Sequence, residues 1–309
     1  MVSKTIDKEK CTGCMLCEEI CANSHVMTKG EDGYPAFTNE MMCIACGHCF
    51  AICPERAITF TFSPGTDQAE VVAPGAPIQY PNEFPAADTI GTFLFSTRSD
   101  RLYADKPVEK EKIEKVIEAM MRAPSAGNEQ NKHYYVFTDP AKIAEIESLQ
   151  KAYFRAVLNK YNSPLAKRSA ALTISMNAKG SGVPLWTRYK NNLALTNNAS
   201  FSDNSSVSYL KGAKVLLVIT HDKKKGMHQS FYQGDIRIAG TYGILMAKAL
   251  GLASCWMGLL EIAMGKSKKI GEAMHIGSHE SMGGALVLGY SDTQWVGYPP
   301  RGPVTPKWQ

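Results

Sequence analysis

The sequence lacks any long apolar run. Nowhere in its 309 residues do the ~20 consecutive apolar positions of a membrane helix occur. The longest apolar stretches, Val215 to Ile219 and Ala285 to Leu288, are strand-sized. The opening residues MVSKTIDKEK lack the apolar centre of a secretory leader. A soluble, cytoplasmic protein with no membrane partner is expected. Nucleotide-binding fingerprints are also missing. No G-x-G-x-x-G follows a strand pattern, and Gly265-Lys266-Ser267 fails as a P-loop because Leu260 stands where its first glycine belongs. Charge of one sign is scarce too: 34 Lys and Arg against 29 Asp and Glu leave +5. The only basic run, Lys223-Lys224-Lys225, reads as a solvated turn before Gly226. Nothing here recommends a nucleic-acid partner.

Cysteine is nearly absent beyond residue 53: of nine, only Cys255 lies later. The other eight form two runs, Cys11-x2-Cys14-x2-Cys17-x3-Cys21 and Cys43-x2-Cys46-x2-Cys49-x3-Cys53-Pro54. Disulfides are disfavoured by such tight spacing in a chain without a leader. Structural zinc sites pair two C-x2-C knuckles around one ion, whereas each run here strings four cysteines together. Three thiolates at x2 spacing wrap one [4Fe–4S] cubane, and the fourth cysteine ligates the other cluster. That crossed scheme assigns Cys11, Cys14, Cys17 and Cys53 to one cluster, and Cys43, Cys46, Cys49 and Cys21 to the second.

The pattern resembles bacterial two-cluster ferredoxins over about the first 60 residues. Ala22 departs from it, standing where that family's run usually continues with proline. Gly13 and Gly47 leave the loops free to turn tightly, so that N–H groups can face cluster sulfurs. His48 is expected to be exposed, because four cysteines already complete the site. Lys29 to Pro35 reads as a hairpin turn, and Ala57 to Phe62 as a strand closing the module. Eight thiolates (−8) and two oxidised cores (about +4) change the formal charge by roughly −4, bringing the holoprotein near neutrality.

Residues 1–63 are therefore expected to form a two-cluster domain, and 64–89, rich in Pro and Gly, a stiff linker. Residues 90–309 form the second domain. There Pro107 opens a helical pattern through Ile113, Val116, Ile117, Met120 and Met121, which Pro124 ends. His133 to Thr138 and Lys214 to Thr220 read as strands, and Ala141 to about Leu158 as a helix. Asp235 to Leu250 is a helix capped by Gly251, and Ser254 to Met257 and Gly284 to Gly289 are short strands. Residues 161–210 have no clear period. Trp186, Tyr189 and Phe201 within them suit either a lid over a small substrate or surface anchors.

Two arginines and a hydroxyl in Arg98-Ser99-x-Arg101 suit a phosphate, because the guanidinium fork matches phosphate oxygens. With a helix following, then Ala123-Pro124-Ser125-Ala126-Gly127-Asn128-x-Gln130, then Gly251-Leu252-Ala253-Ser254-Cys255-Trp256-Met257-Gly258 and Leu288-Gly289-Tyr290, the order resembles the FMN-dependent nitroreductase family over roughly residues 90–309. That resemblance implies an α+β fold of antiparallel sheet wrapped by helices, and a homodimer holding FMN. It implies that Arg98, Ser99 and Arg101 hold the FMN phosphate, with Arg301 as a looser second contact. Pro124, Ser125, Ala126 and Asn128 would line the flavin at the subunit interface, partly from the other subunit, and Met257 and Gly258 would bring backbone to its reactive edge. Cys255 is expected to be a buried core thiol. No residue stands out as a catalytic proton donor.

Clusters and flavin in one chain imply electron flow from a low-potential donor such as reduced ferredoxin, through the clusters to FMN, and on to a small organic acceptor such as a nitroaromatic, quinone or enone. Two alternatives remain open at this point. The chain could be an electron carrier or redox-sensing partner without a small substrate, or NAD(P)H could reduce the flavin and the clusters export electrons.

Overall fold

The computed structural model describes residues 2–23, 25–62, 81–162, 208–225, 229–298 and 301–309. Most of the expected linker and of the 161–210 segment, with Trp186, Tyr189 and Phe201, lies outside them. The chain divides into two compact units, one of residues 1–73 and 124–130, the other of residues 74–123 and 131–309.

In the N-terminal unit, β1 (Val2–Ile6) pairs antiparallel with β4 (Ile58–Phe62), bringing the two ends of the cysteine region together. The hairpin expected around Lys29 to Pro35 joins β2 (Met27–Lys29) to β3 (Pro35–Phe37), with Lys29 opposite Pro35. Each cysteine run enters a short helix at its third cysteine: α1 is Leu16–Glu19 and α2 is His48–Ile52. Neither helix announces itself by periodicity, because a single turn of four or five residues shows none. The buried core here is small. Among the described residues Cys17, Val26, Met27, Pro35, Ala57 and Ile58 are its buried members, and Phe37, Phe50 and Phe60 pack against the cluster of Cys17, Met27 and Ile58.

The second unit begins with α3 (Ala87–Phe95), a helix within and beyond the stretch expected to be linker. It then has α4 (Lys110–Met121), β5 (His133–Phe137) and α5 (Pro140–Asn162). Next come β6 (Val215–Asp222), α6 (Gln229–Ala249), β7 (Ala253–Trp256), α7 (Gly258–Met264), α8 (Lys268–Ala273) and β8 (Glu280–Gly289). The sheet order is β5-β6-β8-β7 and every pairing is antiparallel, the α+β arrangement expected. Helix α4 starts three residues after Pro107, later than its sequence signal, with Glu109 at the N-cap.

All eight residues of β6 are buried, as a central strand covered on both faces requires. On one face Leu216, Val218, Ala285, Val287 and Cys255 pack with Ile143, Ile146 and Phe154 of α5 and with residues of α7 and α8. The other face takes α6. Its Ile236 side chain lies over Gly283 and Gly284 so closely that a Cβ at either glycine would stand 2.1 or 3.0 Å from it. On its far side α6 meets α4, where a Cβ at Gly243 would lie 2.8 Å from Met120. Gly251 ends α6 as expected, at φ 72°. Its N–H donates to Lys248 O at 3.0 Å, and Leu252 N–H donates to Ala247 O at 2.8 Å, the pair of bonds that closes a helix through a left-handed residue.

Candidate functional site

Within the N-terminal unit the eight cysteines fall into two sets. Cys11, Cys14, Cys17 and Cys53 line one small cavity together with Pro35, Pro54 and Ile58. Cys21, Cys43, Cys46 and Cys49 line another, walled by Met27, Phe37 and Phe60. The mixing of runs follows from the backbone. The first three cysteines of a run sit in one loop, and the helical turn after the third carries the fourth to the opposite set. Backbone N–H groups point at sulfur in both sets, among them Ala45 N to Cys43 Sγ at 3.4 Å and Ala57 N to Cys53 Sγ at 3.3 Å. Such bonds stabilise negative charge on ligand sulfur. Burial pushes the Cys17 thiol up, and the Cys49 thiol up to about 11. Without a cationic core, burial thus holds Cys17 and Cys49 as thiols, and ligation must supply the charge that stabilises their thiolates. Among the described residues no three His, Cys, Asp or Glu side chains are placed to hold a single metal ion. A cubane, bound at its separate corner irons, takes a wider cage. His48 is exposed.

In the second unit three chain segments converge on a cavity of about 730 Å³ beside β7. Asp100 N–H donates to Ser254 O at 2.9 Å, laying residues 97–101 along β7. Trp295 Nε1 donates to Asp100 Oδ1 at 3.2 Å, drawing in the segment from 295 to 298. Tyr103 anchors the turn from below: its hydroxyl donates to Asp100 O at 3.0 Å, and its ring covers Gly289.

The walls contain Arg98, Ser99, Arg101 and Arg301, with Trp256, Trp295 and Tyr298 as aromatic faces and, among the described residues, no acidic one. Three guanidinium groups and a hydroxyl without a competing carboxylate in the wall fit a phosphate ester. The volume lies within the range of small-ligand sites. Arg98 also has a structural task that sequence reasoning missed. It donates to Thr97 O at 2.7 Å and Phe95 O at 2.9 Å, at the C-terminal end of α3, where cations are favoured. Two of its five N–H donors are so committed, in a residue that also lines the cavity. Burial pushes the Cys255 thiol up, with the Arg101 charge opposing, so this thiol stays protonated as a core residue would.

Trp256 is held edgewise in a slot. A Cβ at Gly240 or Gly284 would stand 2.2 or 2.4 Å from its ring, and its Nε1 donates to Glu261 Oε2 at 3.1 Å. Trp295, Tyr298 and this slot carry no sequence signal of their own, because they reach the site only through folding. Met257 and Gly258 follow directly, Met257 buried with its N–H donated to Ala285 O at 2.9 Å. Pro124, Ser125, Ala126 and Asn128 stand in the loop that groups with the N-terminal unit. There Gly127 and Asn128 take left-handed φ values of 56° and 53°.

Two matches to family models agree with this division. Residues 10–58 match the 4Fe-4S dicluster domain, and residues 94–290, more than half the chain, match the nitroreductase family. The chain belongs to the nitroreductase family and carries a 4Fe-4S dicluster domain ahead of the family's own fold. A curated relative from Archaeoglobus fulgidus, provisionally named NADH dehydrogenase/NAD(P)H nitroreductase, is 32% identical over 97 residues. That match covers 31% of this chain and 51% of the relative, so the chain spans about half of that protein's length. A Bacteroides fragilis nitroreductase solved with bound FMN superposes with a TM-score of 0.50 at 17% identity, covering 71% of this chain and 98% of that one. At that identity the likeness speaks for the fold alone. No helix among the described residues is long and apolar enough to cross a membrane.

Proposed function

We propose that this chain is an iron–sulfur flavoprotein that accepts electrons from a low-potential, ferredoxin-type donor and delivers them through two [4Fe–4S] clusters and FMN to a small organic acceptor. The observation that carries the reading is one polypeptide holding both a two-by-four set of cysteine-lined cavities and a cavity with three arginines and no acid in its wall. The proposed division is 1–63 for the cluster domain, 64–89 for the linker and 90–309 for the flavin domain. FMN, when bound, supplies the conversion between single electrons and hydride equivalents.

The chain's own residues have distinct tasks. Cys11, Cys14, Cys17 and Cys53 ligate one cluster, and Cys21, Cys43, Cys46 and Cys49 the other. Arg98, Ser99, Arg101 and Arg301 hold the phosphate. By family likeness, Pro124, Ser125, Ala126 and Asn128 line the ring. Met257 has already donated its N–H to Ala285 O, so the Gly258 side of that turn is where backbone can approach the ring.

A homodimer belongs to the same reading. Phe231, Ile238 and Tyr242, at helical spacing on α6, are 48%, 42% and 42% exposed, an apolar stripe that a second copy would cover. Residues 301–309 form an exposed arm with Val304 and Trp308 outermost, suited to lie on a partner.

Anaerobically reconstituted protein should contain about eight irons, about eight sulfides and one FMN per chain. Reduced ferredoxin should bleach first the cluster and then the flavin absorbance. Arg101→Ala, which removes a charge-assisted contact worth about 1.5–3 kcal/mol, should weaken FMN binding roughly ten- to hundredfold. Protein that retains zinc, or never takes up flavin, would sink the proposal. The name of the Archaeoglobus relative favours one competing direction, in which NAD(P)H reduces the flavin and the clusters export electrons. Mixing the oxidised protein with NADH or NADPH separates the two: that direction requires flavin bleaching ahead of the clusters.

A further inference from the structure

The two cluster loops, residues 11–17 and 43–49, are built alike. Left-handed residues occur at the same two steps in both: Gly13 (φ 68°) and Met15 (62°) in the first, Ala45 (51°) and Gly47 (74°) in the second. What covers them differs. The first loop is backed by the module's own hairpin, since a Cβ at Gly13 would lie 3.7 Å from Gly33 O and 3.9 Å from the Tyr34 ring. The second loop is met by residues 124–130, which pack within the same compact unit although the chain on either side belongs to the other. The contact is specific: Asn128 Nδ2 donates to Ile44 O at 3.0 Å and to Ala45 O at 2.9 Å.

A primary amide has two N–H donors, one for each of these adjacent carbonyls. Asparagine is also the side chain that best tolerates a left-handed backbone, the conformation Asn128 adopts. The loop is braced from inside by Gln130 N–H donating to Ser125 Oγ at 3.1 Å. Both carbonyls that Asn128 engages lie between the ligands Cys43 and Cys46, and the Ala45 N–H in the same turn points at Cys43 Sγ at 3.4 Å. A side chain that fixes this turn therefore acts on a sulfur of the cluster held by Cys43.

We propose that Asn128 is a positioning residue that latches the 124–130 loop onto the turn 43–46, and that the cluster held by Cys21, Cys43, Cys46 and Cys49 is thereby the one coupled to the flavin. The second half rests on the proposed reading that residues 124–128 line FMN. The first half stands without it.

The test uses reconstituted holoprotein with Asn128→Ala and with Asn128→Asp, whose carboxylate cannot donate to a carbonyl. Amide hydrogen exchange across residues 43–47 should quicken at least tenfold in both. Exchange across 11–15 and across β6 and β8 should stay unchanged, which also shows the variants to be folded. In a redox titration followed by electron paramagnetic resonance, one cluster midpoint should move in the variants and the other stay. In the wild type, loading FMN into flavin-depleted protein should perturb that same cluster. Unaltered exchange at 43–47, equal shifts of both clusters, or a response to FMN at the other cluster would each overturn the assignment. Failure of the wild type to bind FMN at all would instead overturn the functional reading, while the exchange result still decides the latch.

Discussion

The two units of this chain reach order by opposite means. Among the described residues the sheet unit has a core cluster of seventeen buried residues, with Leu216, Val218, Ala285 and Val287 at its centre. The cluster unit's has three, one of them Cys17, a proposed ligand, and only Val26, Pro35 and Ala57 are buried besides among the described residues. Apolar burial contributes ~25 cal/mol per Å², so a core this small cannot offset the conformational entropy of about 60 residues. In the cluster unit the cofactors must do what the sheet unit's side chains do.

The sharpest way to break that comparison is to remove the iron. Chelation under oxidising conditions should abolish hydrogen-exchange protection across β1 to β4 while β6 and β8 keep theirs. Loss or survival of both together would mean that the units do not differ as argued. Next in size is overpacking of the sheet unit. Gly284→Ala drives a methyl group into the Trp256 ring, 2.4 Å away, and should cost about 1–3 kcal/mol in urea denaturation. Its effect on the cluster spectrum should be nil.

A smaller effect concerns pH. His221 is 2% exposed, its ring stacks on Tyr232 at 4.5 Å, and neither ring nitrogen has a hydrogen-bond partner among the described residues. Burial holds it below its usual value, with Lys223 adding to the effect. As pH falls through about 6.5 the unfolded chain takes up this proton before the folded one, so stability present at neutral pH is lost on acidification. His221→Gln should flatten the fall of the urea midpoint between pH 7.5 and 5.5. Smallest is the relief of strain in the cluster loops. Met15→Gly or Ala45→Gly, each replacing a left-handed side chain at the step where the sister loop has a glycine, should slow cluster loss and raise stability by up to about 1 kcal/mol.

What could be read in advance was whatever depends on near neighbours in the chain. The cysteine spacing, the Lys29 to Pro35 turn, the Gly251 cap and the buried run Val215 to Ile219 are local patterns, and each carries its own physical signature. Helix α3 was hidden because ADTIGTFLF holds a glycine and β-branched residues after a proline-rich stretch, and its C-terminal end leans on Lys248, which lies far along the chain. The pairing of β1 with β4 joins residues more than fifty positions apart, beyond any local rule.

The order of side chains along the chain determined which chemistry this protein can hold: eight thiols in two runs, and arginines flanking a hydroxyl. Only the tertiary structure decided which groups meet, bringing Arg301 and Trp295 to the cavity of Arg98 and Arg101, and Asn128 to the turn beside Cys43. The reason is that ligand type is a property of single residues, whereas distance between remote residues exists only once the backbone has closed its long loops.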